Sequence, residues 1–254
     1  MLSRRDRVLI TTCIGLVTLI AWGYLVHLDR QMSSSMAYDK MMAAMGMASN
    51  TPWNSADVLY TFTMWAVMMI GMMTGTAAPV LLLFARAQAR QSGRAIPFTV
   101  LMFGAGYIAV WFGFSACATF AQGVLHEAAL LTPAMASSNS HLSATILIAG
   151  GLYQLTPFKG ACLTHCRSPL VFLMAHWRSG PLGAFQMGLR HGLTCLGCCW
   201  ALMCVLFVAG VMNLLWVAVL TGVVLAEKIG PGGVITSRVA GAGMIALGTL
   251  VAVR

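Results

Sequence analysis

Two short stretches of the chain concentrate residues that bind soft metals. In KGACLTHCRSP, Cys162 and Cys166 stand four residues apart with His165 beside the second. In RHGLTCLGCCW, Cys195, Cys198 and Cys199 share a helical face at spacings of three and four, with His191 one turn earlier on that face. Thiolate and imidazole suit Cu(I) or Zn(II), and two ligand pairs brought from separate segments can close a site without a dedicated loop. Five of the eight Cys thus gather with His165 and His191 within 38 residues, next to Lys159, Arg167 and Arg190, whose charges favour thiolates. Thiol redox chemistry and simple burial of Cys as a small apolar residue fit the same pattern. Isolated Cys13, Cys117 and Cys204 read as packing residues.

A second soft ligand is more abundant still. Met occurs 19 times, and eleven of these lie between positions 32 and 73. The segment MSSSMAYDKMMAAMGMA holds Met32, Met36, Met41, Met42, Met45 and Met47; in a helix, Met41 and Met45 lie on one face. Further on, in MWAVMMIGMMTG, Met64, Met68 and Met72 form one stripe, and Met69 and Met73 a second about 100° around. A thioether is neutral and soft, so clustered Met can hold Cu(I) where free thiols would be oxidised, and a stripe could pass the ion along by ligand exchange. Two plainer readings stand beside this: an amphipathic helix on a membrane surface for the first group, and gap-filling packing for the second.

These residues need elements to position them. Of the 254 residues, 59% are hydrophobic and only 8% charged, too few charges to cover a water-facing surface. At about 20 apolar residues per span, the length provides for an all-α polytopic membrane bundle and no separate soluble domain. Seven spans are expected at 8–28, 58–85, 97–121, 142–157, 182–209, 212–226 and 234–253. They are joined by a Met-rich outer segment (29–57) carrying an amphipathic helix and an inner Cys/His segment (158–181). Within the latter, SPLVFLMAHW is apolar but too short to cross, which suggests a re-entrant or interfacial helix. The first stretch is too long for a signal peptide and lacks a small-residue cleavage site, so it reads as an uncleaved helix.

Charge sets the orientation. With the N-terminus inside, the inner segments and span ends hold Arg4, Arg5, Arg7, Arg86, Arg90, Arg94, Lys159, Arg167, Arg178, Arg190, Lys228 and Arg238. Only Arg30, Lys40 and Arg254 are outer, a split of twelve to three. The positive-inside rule therefore places the thiols at the cytoplasmic face, where structural disulfides are disfavoured, and the outer Met segment and the C-terminus in the periplasm of a bacterial inner membrane. The net charge of +9 belongs to this asymmetry and not to nucleic acid. Glu227 and Lys228 read as an interfacial anchor, and His126, Glu127 and His141 as an exposed outer loop. Gly71 to Gly75 and Gly188 to Gly192 permit close helix packing.

Catalytic constellations are missing: no paired carboxylates, no nucleophile elbow, no phosphate loop, no His-Glu-x-x-His. The leading expectation is an integral membrane protein handling or transporting copper, with zinc as the alternative metal. Rival expectations are a non-transporting subunit or assembly factor of a membrane metalloenzyme, with a partner protein or a second copy alongside it, and a membrane thiol-disulfide redox protein.

MWAVMMIGMMTGTAAP, GLYQLTPFKGACLTHCRSPLVFL and the stretch from His191 through TCLGCCWALMCVLFVAGVMNLLWVAVLTGVVLAEK resemble the bacterial family of metal-binding integral membrane proteins known as domain of unknown function 2182. The resemblance runs from Val58 to Gly233 and includes Trp65, Met68, Met69, Met72, Met73, Cys162, Cys166, Cys195, Cys198 and Cys199. It implies a membrane protein that binds metal. One departure is the Thr74-Gly75-Thr76 that precedes Pro79, where the pattern places a Pro sooner after Met73.

Overall fold

The structure, a computed structural model, describes residues 3–44, 54–91, 96–128, 130–131, 135–211 and 213–253, without the side chains at 34–40, 42–44 and 91. Met45, one of the expected outer ligands, lies outside the described residues. Helices account for nearly all of them: α1 (Arg4–Ala44), α2 (Ser55–Gln91), α3 (Ile96–Glu127), α4 (Ser140–Leu155), α5 (Pro157–Arg167), α6 (Pro169–His176), α7 (Gly180–Cys204), α8 (Leu206–Ala209), α9 (Leu214–Ile229) and α10 (Gly233–Val253). Among the described residues the extended contribution is one isolated antiparallel bridge, Leu131 with Ser137.

Local chemistry sets several of the boundaries. Asn139 caps α4 by accepting from the backbone N–H of His141 and Leu142, and Thr156 caps α5, with Pro157 in the first turn. Asn213 caps α9 by accepting from Trp216 N–H. Between them, Gly210 takes φ +92° and closes α8. The Met-rich residues up to Ala44 continue α1 without a break, where a separate amphipathic helix was expected. Positions 29–44 contain neither Gly nor Pro, so nothing in that stretch stops the helix.

Five helical stretches are long and apolar enough to cross a membrane: Arg4–Ser33, Ser55–Arg90, Ile96–Glu127, Gly180–Ala209 and Gly233–Val253. The sixteen residues of α4 and of α9 reach about 24 Å, short of a hydrocarbon core of roughly 30 Å, so five of the seven expected crossings are met by length. The bundle is apolar on its outside and carries polar groups within. Leu19, Ile20, Leu59, Leu101, Phe120, Leu152, Ile235 and Leu250 are exposed, while Gln122, Gln154, Lys159, His191, Glu227 and Lys228 are buried. Water is a poor solvent for such a surface and a hydrocarbon a good one.

Glycine seams set how closely the helices approach. A Cβ on Gly188 would overlap the carbonyl of Phe103, and one on Gly106 the carbonyl of Phe185, so α3 and α7 meet backbone to backbone. Gly192 adds a third contact on this seam against Val110. Gly151 and Gly241 do the same for α4 and α10, each facing the other's carbonyl. On the far side, Gly71 of α2 receives α1, where Trp22 Nε1 donates to the Gly71 carbonyl at 3.3 Å. The polypeptide thus holds α7 against α3, α3 against α2, and α2 against both α1 and α9.

Substitution at the seam tests this packing. Gly188→Ala should lower stability by about 1–3 kcal/mol, because rigid backbone must give way. Gly104→Ala, on α3 but with nothing near its added methyl, should be neutral or mildly stabilising through helix propensity. Thermal unfolding of both variants in detergent separates the two outcomes.

Candidate metal centre

The methionine stripe of α2 is an interior feature. Met64, Met68, Met69, Met72 and Met73 are all 1% exposed or less, and Trp65 among them is fully buried. Spacings of four keep the thioethers stacked turn over turn, and α1, α3 and α9 pack against this helix. At the end near Met64, Trp65 Nε1 donates to Gln122 Oε1 at 2.7 Å. The amide nitrogen of Gln122 in turn donates to Met135 Sδ at 2.9 Å. Met135 holds a left-handed backbone, φ 55°, which a residue other than Gly adopts only under constraint. The segment between α3 and α4 is tied down beside it by Ser137 N–H on the Phe207 carbonyl. Met135 therefore adds a half-buried thioether at this end of the column. Single methionines in loops carry no periodic signal, so the sequence offered no sign of it.

At the other end the column meets the thiols. Tyr107 of α3 reaches across the seam; its hydroxyl lies 3.3 Å from the Met73 carbonyl, 3.4 Å from Thr76 Oγ1 and 3.0 Å from Cys195 Sγ. Cys195, Cys198 and Cys199 are buried on the inner face of α7, as their spacing requires, with His191 one turn before them. The Cys198 and Cys199 thiols both donate to the Cys195 carbonyl, at 3.1 and 2.9 Å. The His191 ring stacks on Tyr107 with centroids 5.8 Å apart, and its Nδ1 is buried without a hydrogen-bond partner. A buried nitrogen in that state is costly unless a ligand completes it.

Helix α5 supplies the second pair. Hydrogen bonds to the sulfurs of Cys195 and Cys198 push the Cys166 thiol well above its usual range, and these contacts bring α5 onto the α7 face. Cys162 is half-buried, its Sγ close to the position a Cβ on Gly197 would take, and burial pushes its thiol up. His165 is not drawn in: it is exposed, with Nδ1 against the Ala161 carbonyl at 2.9 Å. Cys13 and Cys117 are exposed, Cys204 is half-buried, and all eight cysteines are free. Met41 is exposed on α1, 59% accessible, away from both clusters, and His126, Glu127 and His141 are exposed as well.

The charged groups differ from the sequence reading. Glu227 and Lys228, expected to anchor a helix end at the interface, are both buried. Lys159 Nζ binds both carboxylate oxygens of Glu227 at 2.7 and 2.8 Å, and also the side-chain oxygen of Gln154. Arg167 donates to the Glu227 carbonyl. Neither Lys159 nor Arg167 is left for the thiols. That place belongs to Lys228, whose Nζ lies 2.7 Å from Cys195 Sγ and 3.9 Å from Cys199 Sγ. A Lys at a helix end is the ordinary sign of an interfacial residue, which is why this one was misread.

As they stand, no three His, Cys, Asp or Glu side chains among the described residues are arranged to hold a metal ion. The sulfurs are occupied with one another, with the Cys195 carbonyl and with Lys228. The donor set itself fits a soft monovalent ion: three buried cysteine sulfurs, two half-buried ones from α5 beside them and an orphaned imidazole nitrogen. A family model described as PpoB2, copper chaperone, matches residues 62–251, which takes in the methionine column and both cysteine stretches. No curated protein and no solved structure matches the chain.

If the thiol knot is the metal centre, Cys195→Ser/Cys198→Ser should isolate from copper-supplemented cells with copper content about tenfold or more below that of wild type. Cys13→Ser/Cys117→Ser should retain it. Elemental analysis of the purified proteins is the measurement, and equal copper in the Cys195/Cys198 variant and wild type would remove the thiolate site.

Proposed function

Because the chain belongs to the copper chaperone family whose model it matches, we propose that it is an integral membrane protein that accepts Cu(I) through thioethers on its outer side and passes it to thiols where α5 meets the middle of α7, on the cytoplasmic side of the column. In this reading the chain is a multi-pass protein of a bacterial inner membrane, with the N-terminus cytoplasmic and the C-terminus periplasmic. Five long apolar helices, an apolar exterior and the twelve-to-three division of basic residues support it. The seven-span count is kept, with α4 and α9 as the two short crossings; the bilayer can thin locally around such helices at modest cost.

The observation that carries the reading is the continuity of soft donors through the buried interior. Met64, Met68, Met69, Met72 and Met73 form an unbroken covered column, and Tyr107 joins the backbone of its last member to the sulfur of Cys195. Thioethers are neutral, so exchanging one for the next moves a single positive charge without creating or burying another. Each Met is a shallow stop. The thiols form a deeper one, and Cys162, Cys166, His191, Cys195, Cys198 and Cys199 are the proposed ligands there. His165, exposed beside Cys166, is placed to take the ion as it leaves. Met41 and Met45, on the outer side in this orientation, collect copper before it enters the column. Copper in this scheme is cargo.

Replacing Met64, Met68 and Met72 together by Leu tests the route. Each exchange roughly conserves volume and costs less than about 1.5 kcal/mol, so the fold should survive. Protein reconstituted in vesicles and given Cu(I) on the outer face should then fail to load its cytoplasmic thiols, read as loss of copper-protected thiols. Undiminished loading would sink the column as a path. Reporter fusions check the orientation separately, with an N-terminal reporter scoring cytoplasmic and a C-terminal one periplasmic.

A further inference from the structure

Lys228 is the feature that the copper reading does not by itself explain. Its side chain is 8% exposed, on the last turn of α9, and its ammonium points into the cysteine knot. A buried ammonium needs a counter-charge. Glu227, its neighbour in the chain, cannot supply one, because Lys159 holds both of its oxygens. The partners of Lys228 are Cys195 Sγ at 2.7 Å and Cys199 Sγ at 3.9 Å. Tyr107 contributes a hydroxyl on the other side of Cys195, and Cys166, Cys198 and Cys199 complete the surroundings; the Glu227 carboxylate, within electrostatic reach of Lys228, is already balanced by Lys159. The ammonium thus stands at hydrogen-bond distance from a sulfur that the copper reading makes a ligand.

We propose that Lys228 makes this thiol site selective for a monovalent cation, by holding its ammonium against Cys195, where it repels a divalent ion twice as strongly as a monovalent one. The proposal rests on the reading of the cysteine knot as the Cu(I) site. Its basis is Coulombic. Two thiolates holding Cu(I) carry a net charge of −1, and the ammonium brings the buried assembly to zero. The same two thiolates holding Zn(II) are already neutral, so the ammonium leaves an uncompensated positive charge in the interior, where screening is weak. Zinc could restore neutrality by drawing in a third thiolate. The hydrogen bonds from Cys198 and Cys199 to the Cys195 carbonyl and the contacts of Cys166 oppose that rearrangement. Softness already favours Cu(I) at sulfur. The lysine adds a discrimination that depends on charge and not on softness, and so weakens zinc binding at a site whose ligands alone would accept it.

The test compares two metals on the full-length protein in detergent, by chelator competition with Cu(I) and separately with Zn(II). Lys228→Met removes the charge and keeps the aliphatic stem; the ratio of zinc to copper affinity should rise by about tenfold or more over wild type. Lys228→Arg retains the charge and should keep the ratio close to wild type. A wild-type ratio in Lys228→Met, with Cu(I) still bound at the thiols, overturns the proposal. Should Lys228→Met not fold, Lys228→Gln, which also removes the charge, is measured in the same way: the same rise in the ratio is expected, and a wild-type ratio overturns the proposal. Absence of Cu(I) at the thiols of wild type would instead remove the copper reading on which the proposal rests.

Discussion

A charge can stay inside a helical bundle only where the surrounding chain answers it, and the pairing of Lys228 with Cys195 imposes that condition on this fold. For the ammonium to meet the sulfur, the last turn of α9 must lie against the middle of α7. For Cys195 to be reached from the other side by Tyr107, α3 must press on α7 without intervening side chains, and this is what Gly106, Gly188 and Gly192 permit. The adjacent Glu227 then needs its own answer, which Lys159 and Arg167 of α5 provide. With α5 come Cys162 and Cys166. The four helices at the thiol end are thus held by a chain of electrostatic obligations in which each pairing positions the next. Removing one partner of such a network leaves a buried charge unmet, which costs more than the pairing itself contributes.

The two sulfur types differ in what they demand of the fold around them. Thioethers need no proton loss and no counter-charge, so they can line a long apolar interior as ordinary packing residues and add nothing to its electrostatic burden. A thiolate needs compensation, and Lys228 stands against Cys195 and Cys199 to give it. That explains why Met extends over three turns of α2 while the thiols that meet Lys228 are confined to one turn of α7 beside it.

Much of the site was legible from spacing alone. The inner face of α7 follows from intervals of three and four between His191, Cys195, Cys198 and Cys199, and the burial of the α2 methionines from their four-residue recurrence. What stayed hidden depends on where helices pack. A terminal Lys looks the same whether it reaches toward solvent or inward, and the difference for Lys228 is the approach of α7, which no local pattern encodes. Tyr107 is one aromatic residue in an apolar helix until the glycine seam sets it opposite Cys195. Met135 owes its place to a backbone conformation that usually announces itself through Gly and here does not. The continuity of α1 through Ala44 was readable in the lack of Gly and Pro, but the end of the apolar run near Leu28 and the Met face beyond it suggested a separate amphipathic helix instead. Five crossings follow from composition and length; for α4 and α9 the apolar stretches are real but short.

The contact of Trp22 with the Gly71 carbonyl aligns α1 with α2 and so acts as a ruler. Counting 1.5 Å per residue from that mark, Met64 stands about 10 Å along α2, and Met41 about 28 Å along α1 in the same direction. The two differ in height by roughly 18 Å, many times the reach of a single metal–sulfur bond. No one ion can be shared between the tip of α1 and the top of the column. Under the copper reading, an ion gathered by Met41 must let go and be caught again, and the height of that step is built into the length of one uninterrupted helix.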